Sequence, residues 1–81
     1  SKGGASYPVD VEIEALDRKG LLSDISTILL REKINVTATH TQSRGITATM
    51  QFTLKITGLA QLRRVLGLIQ NVPGVMSASR K

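Results

Sequence analysis

The residues best suited to bind a ligand form a short charged turn, Asp17-Arg18-Lys19-Gly20, which is followed by Leu21 and Leu22. A segment of strand-like alternation ends at this turn, and a segment with helical periodicity begins. A glycine at a helix start leaves backbone N–H groups without intrahelical partners, and the helix dipole adds positive charge there. The turn can therefore hold an anion such as a carboxylate. The alternative interpretation is structural: Asp17 and Gly20 only shape a tight turn and cap the helix.

No side chain in the sequence suggests catalysis. The single histidine, His40, has the same alternation as Val36 and Ala38, which predicts a partly buried structural residue; the alternative is a residue that borders a pocket or interface. Three acidic residues share one solvent face of the first strand without a basic or metal-ligating partner: Asp10, Glu12 and Glu14. The sequence contains no cysteine, which excludes disulfides and is compatible with the cytoplasm. We therefore predict no catalytic residue, no metal site and no cofactor.

The length of 81 residues predicts one domain with a modest core. Because the chain begins at Ser1 without a methionine, we expect a piece of a longer protein. No apolar run is long enough to span a membrane and no signal peptide is visible, so we expect a soluble fragment without membrane contact. Residues 1–6 lack periodicity and are interpreted as a linker, and residues 7–81 as the domain.

The periodicity predicts the order βαββαβ, which is a ferredoxin-like α+β sandwich with a four-stranded antiparallel sheet and two helices on one face. The predicted strands are Pro8–Leu16, one starting near Ile34, Ile46–Thr57 and Val75–Arg80, with Ser43-Arg44-Gly45 as the hairpin connection. The predicted helices are Leu21–Glu32 and one that opens at Thr57 or Gly58 and stops at Val72-Pro73-Gly74. Their apolar stripes are Leu21, Leu22, Ile25, Ile28 and Leu29, and then Leu59, Leu62, Val65, Leu66 and Ile69.

The net charge of +5 is distributed unevenly, because all six acidic residues precede position 33 and seven Lys or Arg follow from there. The basic half could attract a polyanion or an acidic partner domain, or it could serve solubility alone. Candidate docking residues are Arg44, Arg63, Arg64 and Arg80. RNA recognition by the sheet face is not predicted, because it relies on exposed aromatic side chains, and here Tyr7 lies at a strand edge and Phe52 has core parity.

The motif from Asp17 to Leu22, followed by Lys33-Ile34-Asn35-Val36, resembles the ACT domain, a small amino-acid-sensing regulatory module. A wider set of blocks is similar to the carboxy-terminal ACT domain of Rel/Spo-type (p)ppGpp synthetase/hydrolases, the GTP pyrophosphokinases of the bacterial stringent response. The resemblance extends over residues 7–80 and includes Tyr7-Pro8-Val9-Asp10-Val11, Leu62-Arg63-Arg64-Val65-Leu66 and Val72-Pro73-Gly74-Val75. It implies a non-catalytic regulatory domain that controls the catalytic domains of its parent chain.

In ACT domains that bind amino acids, the loop after the first strand contacts the ligand, often across a homodimer interface that also supplies the asparagine at the start of the second strand. The residues implied here are Asp17, Arg18, Gly20, Leu21, Leu22 and Asn35. Many ACT loops carry proline where Lys19 stands, so this turn is less rigid. Since the loop and Asn35 should lie at opposite ends of the helix, they can share a ligand only through a second chain or an unusual loop path.

Two functional hypotheses follow. The first is a sensor in which a free amino acid biases the parent enzyme through a change in domain or dimer arrangement. The second is a docking module for the ribosome, tRNA or an intramolecular partner domain, which binds no small ligand. A free-standing adaptor without a parent enzyme is a third interpretation. A homodimer is expected in any case, because the threonine-rich second strand has no lysines to protect an exposed sheet edge.

Overall fold

The computed structural model describes residues 5–81; residues 1–4, most of the predicted linker, lie outside the described residues. Six elements follow one another: β1 (Tyr7–Leu16), α1 (Leu21–Arg31), β2 (Asn35–Arg44), β3 (Thr47–Ile56), α2 (Leu59–Gln70) and β4 (Val75–Arg80). The strands form one antiparallel sheet with the order β2-β3-β1-β4, so β2 and β4 are its edges. The predicted ferredoxin-like fold is confirmed.

The core lies between the sheet and the two helices and is built by the alternation of the two central strands. In β3 every second residue is buried, and its partners in β1 alternate in step, for example Ile13 opposite Met50. The core contains Val9, Val11, Ile13, Ala15, Met50, Phe52, Leu54 and Ile56 from these strands, and Leu21, Ile25, Leu29, Leu62, Val65 and Ile69 from the helices. Two leucines of the predicted apolar stripes are exposed: Leu22 is 52% exposed and Leu59 54% exposed.

The hairpin between β2 and β3 is shorter than predicted. Ser43 and Arg44 belong to β2, and the connection consists of Gly45 and Ile46 alone. Gly45 has a φ of 62°, the left-handed conformation that two-residue hairpins require. Ile46 was predicted to begin the buried face of β3, but as a turn residue it is 76% exposed. The alternation of β3 therefore starts with Ala48 as its first buried residue.

A bulge in β2 changes the face on which His40 lies. Val36 pairs with Leu54 and Ala38 pairs with Thr53, so the register shifts by one residue between them. Because a one-residue shift reverses the faces, His40 lies opposite Gln51 on the open side of the sheet and is exposed. The prediction of a partly buried structural residue is wrong. The alternative is supported, since His40 borders a shallow depression of about 200 Å³.

The open face of the sheet is polar, as predicted. Asp10 accepts a hydrogen bond from the Thr53 hydroxyl at 2.7 Å, and Glu12 accepts one from the Gln51 amide at 3.0 Å. Two of the three carboxylates on β1 are thus matched by hydroxyl or amide donors on β3, and Phe52 faces the core. This face presents no aromatic platform for bases among the described residues of the central strands.

Candidate functional site

The candidate site is the β1–α1 loop, residues 17–20, which lies at the end of the sheet between two other chain turns. The N–H of Leu16 donates to the carbonyl of Gly74 at 2.8 Å, in the turn before β4. The N–H of Asp17 donates to the carbonyl of Ile46 at 2.8 Å, in the β2–β3 turn. The main chain is therefore held from both sides where the loop begins.

Gly20 precedes α1 in the left-handed conformation, with a φ of 83°, and no side chain caps the helix. The carbonyl of Gly20 accepts a hydrogen bond from the N–H of Asp24 at 2.9 Å, and the carbonyl of Arg18 accepts one from the N–H of Leu21 at 3.2 Å. The N–H groups of Leu22 and Ser23, which lie between these two, have no backbone partner among the described residues. The interpretation of Asp17 as a helix cap is wrong, because its carboxylate accepts the Ser43 hydroxyl at 3.1 Å instead.

A groove of about 420 Å³ opens beside these free N–H groups. Its walls combine the loop and first helical turn with residues of β2 and β3: Asp17, Arg18, Gly20, Leu21, Leu22, Ser23, Thr41, Ala48 and Met50. The sequence motif predicted the loop side of the groove but not its far wall. Ala48 and Met50 belong to the alternating core pattern of β3, and only the tertiary fold brings them to the loop.

Arg18 lines the groove, but its guanidinium is engaged in the loop itself. Nε donates to the carbonyl of Pro73 at 2.7 Å, Nη1 to the carbonyl of Lys19 at 2.9 Å, and Nη2 to Oδ2 of Asp24 at 2.7 Å. The Arg18–Asp24 contact is also an ion pair, with side chains that are about one-third and one-half exposed. Arg18 therefore shapes the loop, and all three of its guanidinium nitrogens already have partners.

Asn35 is not brought to the loop within one chain. It pairs with Lys55, which in turn lies opposite Pro8 at the start of β1. The loop follows Leu16, at the other end of the same strand. The two parts of the implied site are therefore separated by the length of the sheet, as the predicted topology requires.

The four candidate docking arginines do not form one surface. Arg64 donates to Glu32 through Nε at 2.7 Å and through Nη2 at 3.4 Å, so an acid at the end of α1 neutralises it. This hydrogen bond and the charge of Glu32 raise the pKa of Arg64 above its already high ordinary value, which keeps it protonated. Arg63 is exposed on the same helix. Arg44 and Arg80 lie on β2 and β4, at opposite edges of the sheet.

Between residues 5 and 81 no three His, Asp or Glu side chains cluster closely enough to hold a metal ion. Within the same range neither helix has the length and apolar character needed to cross a bilayer.

The fold is a ferredoxin-like α+β sandwich, and the family model for the ACT domain, a regulatory module, matches residues 3–80. The chain belongs to the ACT domain family. Over 78 residues it is 44% identical to a GTP pyrophosphokinase of Escherichia coli (strain K12), covering 94% of this chain and 10% of the relative. It is 37% identical over 75 residues to a bifunctional (p)ppGpp synthase/hydrolase of Mycobacterium tuberculosis, covering 91% and 10%. The resemblance to Rel/Spo-type ACT domains is confirmed.

A solved structure gives the same fold. The crystal structure of the ACT domain from the GTP pyrophosphokinase of Chlorobium tepidum superimposes with a TM-score of 0.84, at 14% identity, over 94% of this chain and 99% of that one. The chain spans about a tenth of the length of the curated relatives it matches. The similarity therefore concerns a regulatory region and none of the remaining length of those enzymes.

Proposed function

We propose that this ACT domain regulates the catalytic domains of a (p)ppGpp synthetase/hydrolase by binding a small ligand, such as a free amino acid, in the groove at the β1–α1 loop. The observation that carries the proposal is the juxtaposition of an uncapped helix start with a groove of about 420 Å³. That volume lies within the usual range of small-molecule sites, roughly 300–1,000 Å³.

The lining suggests how an amino acid would lie. Its carboxylate would accept hydrogen bonds from the free N–H groups of Leu22 and Ser23, where the helix dipole favours negative charge. Its ammonium group would lie near Asp17, whose Oδ2 accepts only one hydroxyl. Its side chain would contact Ala48 and Met50 on the sheet. Leu22, half-exposed in the single chain, would gain an apolar neighbour.

We further propose that the domain forms a homodimer through β2. This edge strand has ten residues against six in β4, and it carries no lysine or proline that would discourage pairing. A second groove of about 360 Å³ lies beside it, between α1 and the sheet. Leu30, which is 80% exposed, and Leu22 border this groove, so a second copy would cover apolar surface as well as the strand edge.

The register of such a dimer is restricted by the pleat. Residues directly opposite one another in an antiparallel pair lie on the same face of the sheet. The two-fold axis of the dimer must therefore pass beside a residue of β2 and not midway between two residues. Near-complete overlap of the strand centres the pairing on Thr39 or His40. Either centre brings Asn35 of one protomer to the far end of β2 in the other, beside the β2–β3 turn whose Ile46 carbonyl accepts the N–H of Asp17. The dimer is therefore the arrangement that would unite Asn35 with the loop.

The experiment is a titration of the ¹⁵N-labelled domain with each of the twenty amino acids at millimolar concentration. We expect one of them to shift the amides of Gly20, Leu22 and Ser23. Gly20→Ala, which forces an L-residue into a left-handed conformation and places a methyl group 3.6 Å from Nη1 of Arg18, should weaken that ligand at least tenfold. Gly45→Ala is the matched control, because it places alanine in the same left-handed conformation but away from the groove. If no amino acid moves these amides, the sensor function is refuted.

Docking to a polyanion is the second candidate function, and one observation favours it. Arg63 is exposed on α2, a helix without any acidic residue. The pairing of Arg64 with Glu32 reduces the surface available. Binding of the domain to tRNA, measured at several salt concentrations, tests this function. Arg63→Gln should weaken binding, and the slope of log K against log salt concentration should become about one unit shallower. Equal binding by the variant would refute docking through this helix.

A further inference from the structure

We propose that Arg18 is a positioning residue that holds the β1–α1 loop against the α2–β4 turn, residues 71–74, so that this turn determines the shape of the groove. The importance of that shape for a ligand rests on the proposed function, but the mechanical connection does not. The guanidinium donates hydrogen bonds to acceptors in three separate segments: the carbonyl of Pro73 before β4, the carbonyl of Lys19 in the loop and the carboxylate of Asp24 in the first turn of α1.

The geometry of these contacts requires arginine. The guanidinium is a planar fork with fixed donor directions, and here its three nitrogens donate at 2.7–2.9 Å to acceptors on different sides. A lysine ammonium at the same position could reach one of these acceptors but could not span all three.

The α2–β4 turn is fitted closely to this side chain. Gly74 adopts a φ of 94°, and a Cβ atom there would lie 3.3 Å from Nε and 3.6 Å from Cδ of Arg18. The carbonyl of Gly74 accepts the N–H of Leu16, the last residue of β1. Arg18 thus reinforces a backbone contact that already joins the end of β1 to the start of β4.

The same side chain sets the position of the free N–H groups. Leu22 and Ser23 lie between two points that Arg18 fixes: its own carbonyl accepts the N–H of Leu21, and its Nη2 holds the carboxylate of Asp24. A displacement of the turn at Pro73 would move the guanidinium and, with it, the first turn of α1. The turn before β4 is consequently the second determinant of the groove, although it contributes no lining residue to it.

The test needs no ligand, so its outcome is independent of whether an amino acid binds. Amide hydrogen exchange and ¹⁵N shifts are compared for the unchanged domain, Arg18→Lys and the control Arg63→Lys, an exposed arginine on α2. We expect Arg18→Lys to lower the protection of the Leu16 amide at least tenfold and to shift the amides of Leu22 and Ser23, while the control changes neither.

The reverse experiment separates positioning from a general loss of stability. Gly74→Ala should shift the amides of Leu22 and Ser23, although residue 74 touches neither; Gly45→Ala, also at a left-handed glycine, should not. Should Arg18→Lys fail to fold, Asp24→Ala removes a single acceptor of the guanidinium and is read at the same amides. Unchanged loop amides in the Arg18 or Asp24 variant, or in Gly74→Ala, would overturn the proposal.

Discussion

Three glycines with positive φ provide a graded test of how tightly the loop and the turn fit together. Gly45, Gly20 and Gly74 have φ values of 62°, 83° and 94°. An alanine Cβ at position 45 would have no atom within 4 Å. At position 20 it would lie at an ordinary 3.6 Å from Arg18, and at position 74 at a tight 3.3 Å from Arg18. The left-handed conformation alone costs an L-residue roughly 1–2 kcal/mol. We therefore expect Gly45→Ala and Gly20→Ala to lose about that amount of unfolding free energy.

Gly74→Ala should cost more, because the new methyl group displaces the Arg18 guanidinium by a few tenths of an ångström and so weakens its hydrogen bond to Pro73. A hydrogen bond from a charged group contributes about 1.5–3 kcal/mol, so the total loss should exceed that of Gly45→Ala and reach at most roughly 2.5–5 kcal/mol. A domain of this size has only about 4–12 kcal/mol of stability, so this loss is a large fraction of it.

Urea unfolding followed by circular dichroism measures the three losses, and an unchanged denaturant slope shows that the transitions are comparable. The same substitutions in an Arg18→Ala background complete a double-mutant cycle, in which the extra cost of Gly74→Ala should fall to within about 0.5 kcal/mol of the cost of Gly45→Ala. If Gly74→Ala costs no more than Gly45→Ala in the unchanged domain, the close fit between Arg18 and the turn is refuted.

Three further predictions concern the core, the ion pair between Glu32 and Arg64, and the sheet edge. Ile13→Ala, at a fully buried position of the central strand, should cost roughly 2–5 kcal/mol in urea unfolding. Glu32→Gln should raise the salt concentration needed to elute the domain from heparin more than Glu14→Gln does, because only the former also frees an arginine for the polyanion. Thr39→Lys on β2 should weaken dimerisation at least tenfold in sedimentation, whereas Ser79→Lys on the other edge should not.

The sequence predicts the fold well where a strand is buried on one face without interruption. β1 and β3 follow strict alternation, so their burial and pairing could be inferred from residue parity. β2 fails this test because a bulge near Thr37 reverses the faces, and no residue in this threonine-rich edge strand marks the site of the shift. The wrong face predicted for His40 follows from that single inserted residue.

The candidate site was predictable on the loop side only. The change from alternation to helical periodicity marks Gly20, and its left-handed conformation agrees with the choice of glycine there. The role of Arg18 could not be inferred, because its acceptor at Pro73 lies 55 residues further along the chain. A motif records which residues occur together in sequence, whereas this contact depends on how β4 returns to the end of β1.

The distribution of charge has a different meaning in the folded domain than in the sequence. The acidic first part and the basic second part suggest a one-signed surface, yet the fold places Glu32 against Arg64, so an acid offsets the charge of one of the two adjacent arginines of α2. Arg44 and Arg80 are separated across the full width of the sheet. A polyanion would therefore meet scattered cations. The groove at Gly20, in contrast, brings together an uncapped helix start, an acceptor at Asp17 and an apolar wall. Because specific recognition needs several complementary groups at one place, this arrangement favours a small zwitterionic ligand over a large anion.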